Sequence, residues 1–219
     1  MAKILIFGNG QLAEIAQFYI NHDTDHKIVA FTVDADFIEK DTFNGVPLVP
    51  FEEVKTQFPP NTYNLFMPIS YRKVNLLREE KYLQAKSMGY NFISYVSPKT
   101  TYYGTPVGEN CFIFENNVIQ PFSKIGNNVI LWSGNHIGHH SEIQDHCFIT
   151  SHVVISGSVV IGRNSFIGVN ATVRDNIIIG KHNVIGAGSV ILHNTEDDQV
   201  FSPGQTPIKT TSSDQLKRI

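Results

Sequence analysis

The chain has 219 residues, of which 42% are hydrophobic and 17% are charged, and its formal net charge is −3. This length allows one or two globular domains, and the mild acidity argues against a nucleic-acid partner, which requires a basic face. The sequence contains no run of eighteen apolar residues and no signal-peptide pattern, so we expect a cytoplasmic protein without a membrane partner.

The N-terminal stretch AKILIFGNGQLAEIAQFY predicts an apolar strand, a glycine-rich turn and an amphipathic helix. The turn has the spacing Gly8-x-Gly10-x-x-Ala13, which is typical of the phosphate-binding turn in a nucleotide-binding βαβ unit. The helix that follows offers free backbone amides to phosphate at its N-terminus. Gly8, Gly10 and Gln11 are therefore candidate substrate-binding residues.

The following elements continue an α/β pattern. KIVAFTVDAD predicts a second strand that ends at Asp34, an acid at the place where dinucleotide folds bind a ribose hydroxyl. YNLFMPIS predicts another strand, YRKVNLLREEKYLQAKSMGY a long helix ending at Gly89, and NFISYVSP a last strand. Tyr71 and Arg72, at the start of that helix, are further candidates for substrate binding.

This N-terminal region has about ninety-five residues, which are too few for a full dinucleotide fold. A half-unit that binds a nucleotide or a nucleotide sugar fits this length better than a domain that binds NAD does. The alternative is a small α/β docking domain without a ligand.

The second half of the chain has a period of six. From Val107 to Ile191, every sixth residue is Ile, Val or Leu, and a mostly small residue follows each of them four positions later. Neither the helical period of 3.6 nor the strand period of 2 explains this spacing. A unit with one large and one small inward side chain is a short strand plus a corner, and three units close a coil of eighteen residues. Residues 107 to about 196 therefore predict about five coils of a three-sided solenoid.

Both cysteines fall on the small inward positions. Cys111 and Cys147 are thirty-six residues, or two coils, apart. Coils spaced by about 4.8 Å put the two sulfurs roughly 10 Å apart, beyond disulfide reach. We expect both to be core thiols.

Five histidines lie within eighteen residues, and none occupies an inward position: His136, His139, His140, His146 and His152. We therefore expect all five to point outward, toward solvent, a ligand or another chain. His146 aligns with Asn128, Asn164 and His182 on neighbouring coils, which is typical of a structural corner. Gly157 lies one coil after His139 and leaves open backbone beside that imidazole.

The hexads resemble those of the hexapeptide-repeat, left-handed parallel β-helix family, and the left hand is taken from that resemblance. A short N-terminal nucleotide half-fold followed by about five coils is similar to bacterial sugar acyltransferases of the sialic-acid O-acetyltransferase type. That group includes N-acetyltransferases of nucleotide-linked amino sugars. The likeness spans nearly the whole chain.

The resemblance implies site residues. In IGHHSEI the family's catalytic base falls on His139, while the acid that normally follows it is replaced by His140. A second family histidine falls on Phe148, and His146 or His152 are the alternatives for its role. The segments ISGSVVIG and IGAGSVI match places where backbone amides meet coenzyme A, and they imply contacts at Ser156, Gly157, Gly186 and Ala187.

The sequence thus predicts an α/β half-Rossmann-like domain over residues 1–97, a left-handed parallel β-helix over 98–196 and a C-terminal tail over 197–219. The resemblance implies an acetyl-CoA-dependent N-acetyltransferase that acts on a UDP- or dTDP-linked amino deoxysugar in bacterial surface glycan biosynthesis. It also implies a homotrimer, with coenzyme A lying between neighbouring solenoids, and no metal. Outward apolar residues are more numerous than a solvated face requires: Val118, Ile130, Val154, Val160 and Ile178.

Three alternatives remain open at this stage. The first is a sugar O-acetyltransferase, such as one for sialic acid, in which the acyl acceptor is a hydroxyl group. Five histidines also fit a γ-class carbonic-anhydrase-like zinc enzyme, which shares the solenoid and binds zinc through three histidines across a subunit interface. The third alternative is a non-catalytic nucleotide-sugar binder.

Overall fold

A computed structural model describes residues 1–215. The N-terminal region contains five strands, three helices and a short 3₁₀ helix at Ala35–Phe37. The strands are β1 Lys3–Phe7, β2 Lys27–Val33, β3 Thr42–Phe43, β4 Val46–Pro50 and β5 Asn64–Phe66. The helices are α1 Gln11–Asp23, α2 Val54–Gln57 and α3 Leu76–Ser87.

These five strands form one sheet in the order β3-β4-β2-β1-β5. All neighbours are parallel except β3 and β4, which form an antiparallel hairpin at the sheet edge. The strands β1 and β2 are apolar runs because both faces of the sheet are covered. The hairpin and α2 were not predicted from the sequence. The long helix begins at Leu76 rather than near Tyr71.

The rest of the chain winds as a left-handed parallel β-helix with three faces, named here by their number of strands. The four-stranded face contains β10 Lys124–Ile125, β13 Glu142–Ile143, β16 Val160–Ile161 and β19 Ile178–Ile179. The six-stranded face contains β7 Thr101–Tyr102, β9 Val118–Ile119, β12 His136–Ile137, β15 Val154–Ile155, β18 Thr172–Val173 and β21 Val190–Ile191. The seven-stranded face contains β6 Tyr95–Val96, β8 Phe112–Ile113, β11 Ile130–Leu131, β14 Phe148–Ile149, β17 Phe166–Ile167, β20 Val184–Ile185 and β22 Val200–Phe201.

The register is the one that the hexads predict. Ile137 pairs with Ile119 and Ile155, eighteen residues before and after it, and the other strands follow the same rule as far as β21. The inward Ile, Val and Leu residues form one continuous buried core that includes both cysteines, which are free thiols. The strand pairing begins at Tyr95, two residues before the predicted boundary at 97/98, and that boundary stays a prediction. The predicted tail contains β22 and a 3₁₀ helix at Ser213–Gln215, and its last four residues lie outside the described part of the chain.

The corners of the solenoid explain the distribution of several polar residues. The fourth residue of each hexad has a positive φ at every corner from Asn110 to Gly188, and most of these residues are Asn, His or Gly. Asn and His tolerate this left-handed conformation better than most residues do. His140, His146, His152 and His182 all occupy such positions, with φ between 54° and 65°. The left-handed backbone conformation at the corners therefore accounts for four of the histidines.

The N-terminal sheet packs on the seven-stranded face. The outward residues Phe112, Ile130 and Phe148 of that face are buried in the same core as Ile4 and Ile6 of β1. Ile130 is therefore not an exposed outward residue as predicted, because the N-terminal region covers it, whereas Val118, Val154 and Ile178 are exposed. Within residues 1–215, no helix is both long and apolar enough to cross a membrane.

Helix α3 fixes the N-terminal region to the corner between the four-stranded and seven-stranded faces. Asn75 donates hydrogen bonds to the carbonyl oxygens of Asn164 and Ser165, at 2.9 and 3.0 Å. The fully buried Arg78 donates to the carbonyl and side-chain oxygens of Asn128, and burial lowers its pKa to about 10. These bonds hold the two parts of the chain in one orientation.

Candidate active site

His139 and His140 lie in the turn from the six-stranded to the four-stranded face, which we call the histidine corner (residues 138–141). Both side chains are exposed, as the hexad numbering predicts. The same corner on the coil before contains Gln120 and Phe122, and on the coil after it contains Gly157. These neighbours surround the two imidazoles.

The His139 side chain lies directly against Gly157. A Cβ atom added to Gly157 would lie 2.7 Å from Cε1 and 2.8 Å from Nε2 of His139, so the ring occupies the space of the missing side chain. The backbone N–H of His139 donates to Gln120 Oε1 at 2.9 Å. The imidazole is therefore positioned from the coil below and the coil above.

His139 also contacts His140 through a defined pair of atoms. The two Nδ1 atoms are 3.1 Å apart, and the rings are nearly perpendicular. The His140 ring packs against Phe122, with 4.8 Å between centroids. A hydrogen bond between two Nδ1 atoms needs one proton, and when His139 carries that proton its Nε2 is a free base beside Gly157.

Gly157 offers a backbone donor at the same corner. Among residues 1–215 its N–H donates no hydrogen bond, whereas the neighbouring Ser156 N–H donates to Val173 O at 3.1 Å. A free amide next to an exposed base fits the requirement for an oxyanion donor. Ser156 and Gly157 thus lie beside His139.

Gly186 and Ala187, the other two predicted coenzyme A contacts, lie at a different corner. They follow β20 and lie in the turn from the seven-stranded to the six-stranded face. Gly186 N–H donates to Phe201 O, while Ala187 N–H donates no hydrogen bond within the described residues. One chain therefore does not bring these two residues next to Ser156 and Gly157.

Five of the six predicted substrate-binding residues line a cleft of about 490 Å³ at the N-terminus of α1. Gly8, Gly10 and Gln11 form one wall, and Asp34 and Arg72 lie on others. Gly8 has a φ of +117°, which strongly favours glycine, and Gly10 is the N-cap of α1. The first amides of α1 thus face a cavity of the size that binds small molecules.

The charges in this cleft are partly paired. Asp34 Oδ1 accepts a hydrogen bond from Lys81 Nζ at 2.5 Å, in an ion pair that joins the end of β2 to α3. Lys81 and Arg72 are two cations in the cleft wall. Tyr71 is not part of this wall, because its ring packs on Phe148 and Phe166 of the seven-stranded face, at 5.1 and 4.9 Å between centroids.

The cleft and the histidine corner lie on different sides of the solenoid. The N-terminal region covers the seven-stranded face, and α3 covers one of its two corners. The histidine corner joins the other two faces, so it lies across the prism from the N-terminal region. A ligand held in the cleft of one chain is therefore separated from His139 of the same chain by the width of the β-helix.

The remaining histidines have different environments. His146 is a structural corner residue, as its alignment with Asn128 predicts, but the expectation that it meets solvent, a ligand or another chain is wrong, because α3 packs over it and leaves only 3% of the residue exposed. Its Nδ1 accepts a hydrogen bond from Asn128 Nδ2 at 2.9 Å, and its ring packs on Tyr82. Burial lowers its pKa to about 4, although Glu79 and Asp145 act in the opposite direction. His152 is exposed, and its ring lies against Gly134.

Sequence reasoning did not identify Gln120 or Lys81 as site residues. The eighteen-residue ladder does align Phe122 with His140, but it aligns Gln120 with Gly138 rather than with His139. No pattern in the sequence pairs Lys81 with Asp34, since they lie on different elements that meet only in the folded chain. Within residues 1–215, no group of three or more His, Cys, Asp or Glu side chains is arranged to hold a metal ion.

The solenoid matches a known repeat. The family model described as "Bacterial transferase hexapeptide (six repeats)" matches residues 105–139, 122–157 and 158–193. Together the matched segments span residues 105–193 and include the histidine corner. No curated protein matches the sequence.

Solved structures share both parts of this fold. A histidine-to-asparagine mutant of perosamine N-acetyltransferase from Caulobacter crescentus, in complex with CoA and GDP-perosamine, has a TM-score of 0.80 and 22% identity, with 91% of this chain and 93% of that chain covered. The acetyltransferase domain of PglB from Neisseria gonorrhoeae has a TM-score of 0.76 and 19% identity, covering 89% and 93%. WeeI from Acinetobacter baumannii has a TM-score of 0.78 and 17% identity, covering 91% and 96%. At these identities the likeness shows the fold.

Proposed function

We propose that this protein is an acetyl-CoA-dependent N-acetyltransferase that acts on the amino group of a nucleotide-linked amino deoxysugar. The observation that carries the proposal is the exposed His139 imidazole, held against the bare backbone of Gly157 and next to an unused amide. The similar Caulobacter crescentus and Neisseria gonorrhoeae proteins, which were solved with CoA and acetyl-CoA respectively, support the same class of reaction.

In the proposed reaction the sugar amine attacks the acetyl carbonyl carbon, a C–N bond forms, and the C–S bond breaks to release CoA. His139 Nε2 accepts the proton that the amine loses, a role worth about 10²–10⁴-fold in rate. The free N–H of Gly157 donates to the oxyanion of the tetrahedral intermediate. His139 needs its second proton on Nδ1 for this role, and His140 Nδ1 can accept the resulting hydrogen bond.

The cleft at α1 is the proposed site for the nucleotide diphosphate. The amides after Gly10 and the cations Arg72 and Lys81 suit the negative phosphates. Asp34 uses Oδ1 for Lys81, and within residues 1–215 nothing donates to its Oδ2, which is available to a ribose hydroxyl. We expect UDP or dTDP as the nucleotide, and a role in bacterial surface glycan biosynthesis in the cytoplasm.

The proposed active form is a homotrimer in which two copies build each site. The cleft and His139 of one chain lie on opposite sides of the solenoid, so the sugar reaches the base of a neighbouring copy. Ser156 and Gly157 of one copy and Gly186 and Ala187 of the next can then line one acyl carrier between two solenoids. The exposed Val118, Val154 and Val190 of the six-stranded face provide apolar area for such packing.

A panel of sugars tests this function. UDP-, dTDP- and GDP-linked 3-amino and 4-amino deoxysugars are incubated with acetyl-CoA, and free thiol release is followed; sialic acid serves as the hydroxyl acceptor. We expect thiol release with at least one amino sugar and its loss by about 10²-fold or more in His139→Gln. The matched control is His22→Gln on the exposed side of α1, which should keep full activity. Acetylation of sialic acid alone, or an unchanged rate in His139→Gln, contradicts the proposal.

Size measurement tests the assembly. Light scattering should give three times the mass of one chain. A mixture of His139→Gln with Arg72→Ala chains should recover part of the activity. A site built from the cleft of a His139→Gln chain and the histidine of an Arg72→Ala chain contains both wild-type residues. Activity in a stable monomer contradicts the two-copy site.

A further inference from the structure

We propose that His140 is a neutral positioning residue: its Nδ1 lone pair accepts the Nδ1 proton of His139 and so keeps the Nε2 of His139 free to act as the base. This inference rests on the proposed function for its catalytic consequence, but the hydrogen-bond assignment is a property of the free protein.

The contact between the two rings allows two proton arrangements. The Nδ1 atoms are 3.1 Å apart, so a neutral pair has one proton between them. If His139 donates, its Nε2 is unprotonated and can accept a proton from an amine. If His140 donates, His139 is protonated on Nε2 and cannot act as a base. The role of His140 is therefore to select one tautomer of His139.

The surroundings of His140 hold its ring beside His139. It occupies a left-handed corner with φ of +59°, and its ring packs against Phe122. The Gln120 side chain holds the backbone of His139 from the same coil as Phe122. These contacts keep His140 Nδ1 within hydrogen-bond distance of His139 Nδ1.

The hydrogen-bond and packing partners of the pair are uncharged. They are Gln120, Pro121, Phe122, Gly157 and Ser158, and neither histidine takes part in an ion pair within the described residues. Of the charged side chains, Glu142 lies on the next strand and Asp175 occupies the same corner two coils on. A carboxylate at position 140 would stabilise the protonated imidazole, whereas a neutral imidazole does not.

The corner supplies matched variants. Asn and Asp both tolerate a positive φ, so His140→Asn and His140→Asp should leave the fold unchanged. Each places a side-chain oxygen that can accept from His139, one neutral and one charged. A structural role alone would give the same result for both.

The first measurement uses nitrogen-15 NMR of the free, full-length protein, with His139→Gln to assign the His139 signals. We expect the Nδ1–H tautomer of His139 in the wild type. We expect the titration midpoint of its ring in His140→Asp to lie about one to three pH units above that in His140→Asn. An Nε2–H tautomer in the wild type, or equal midpoints in the two variants, overturns the proposal.

The second measurement uses the reaction. In His140→Asp the acid limb of the pH dependence of kcat/KM should move upward by the same interval as the NMR midpoint, while His140→Asn stays near the wild type. An acid limb that does not follow the NMR midpoint overturns the positioning role. If no sugar is acetylated but the NMR results are as expected, only the proposed function fails, and the proton assignment stands.

Discussion

Gly138 at the histidine corner and Gly157 on the next coil allow two different perturbations. One substitution should displace the His139 ring alone, and the other should disturb the fold. In Gly157→Ala the added Cβ meets the far end of the His139 side chain, at 2.7 Å from Cε1. In Gly138→Ala it meets the backbone of the next coil, at 2.5 Å from Gly157 N. Neither glycine has a positive φ, so the two substitutions differ mainly in what they collide with.

The expected magnitudes follow from these contacts. The His139 ring must retreat by about 1 Å to restore ordinary contact with the new methyl group, which also breaks the 3.1 Å contact with His140. A displaced rotamer costs about 0.5–1.5 kcal/mol of stability, and a 1 Å misplacement of a catalytic group can cost about 100-fold in rate. Gly138→Ala must separate two hydrogen-bonded coils, because Gly138 N–H donates to Ile155 O at 2.8 Å. Overpacking of this kind costs about 1–3 kcal/mol or more.

Urea denaturation and thiol release distinguish the two effects. Gly157→Ala should keep nearly the wild-type free energy of unfolding and lose about 100-fold in kcat/KM with the best sugar of the panel. Gly138→Ala should lower the free energy of unfolding by about 1–3 kcal/mol or more. Wild-type activity in Gly157→Ala would refute the reasoning that places the base on this glycine. A loss of stability equal to that of Gly138→Ala would show that the imidazole cannot give way.

Further predictions concern stability and reactivity. Because burial lowers the pKa of His146 to about 4 in the folded state from an ordinary 6.5, the unfolded chain binds the proton first as pH falls. The free energy of unfolding should therefore decrease by up to about 3 kcal/mol between pH 6.5 and 4. His146→Asn should remove this part of the pH dependence, and the exposed control His152→Asn should keep it. Burial raises the pKa of both Cys111 and Cys147 to about 12, so iodoacetamide at pH 8 should label neither in the native protein and both in denaturant. Ile149→Ala removes a fully buried inward side chain and should lower the free energy of unfolding in urea by about 2–5 kcal/mol; a loss below 1 kcal/mol would contradict the core assignment.

The hexads predicted the solenoid in detail because each one encodes its own geometry. The inward residue of a hexad contacts its equivalents eighteen residues away, so the pairing of Ile137 with Ile119 and Ile155 follows from the spacing alone. The same numbering placed His139 and His140 outside and Cys147 inside. The glycine-rich turn could also be predicted from local sequence, since Gly8 and Gly10 lie between the strand and the helix that they join.

The corner position and structural role of His146 agree with the prediction, but its expected exposure was wrong because hexad numbering describes only the solenoid. It gives the direction of a side chain from the coil but not what covers it, and α3 reaches His146 from a segment more than fifty residues earlier. The helix docks there through particular contacts, such as Arg78 to Asn128 and Asn75 to Asn164, which have no period.

By itself the sequence determined the three-sided coil, its register, its inward core and the outward direction of His139, because these depend on contacts repeated at a fixed interval. Only the tertiary structure decided which corner the N-terminal region covers, that Lys81 pairs with Asp34, and that the cleft faces away from the histidine corner of its own chain. These features depend on how two unlike surfaces fit together, and the free energy of that fit comes from single, non-repeating side chains.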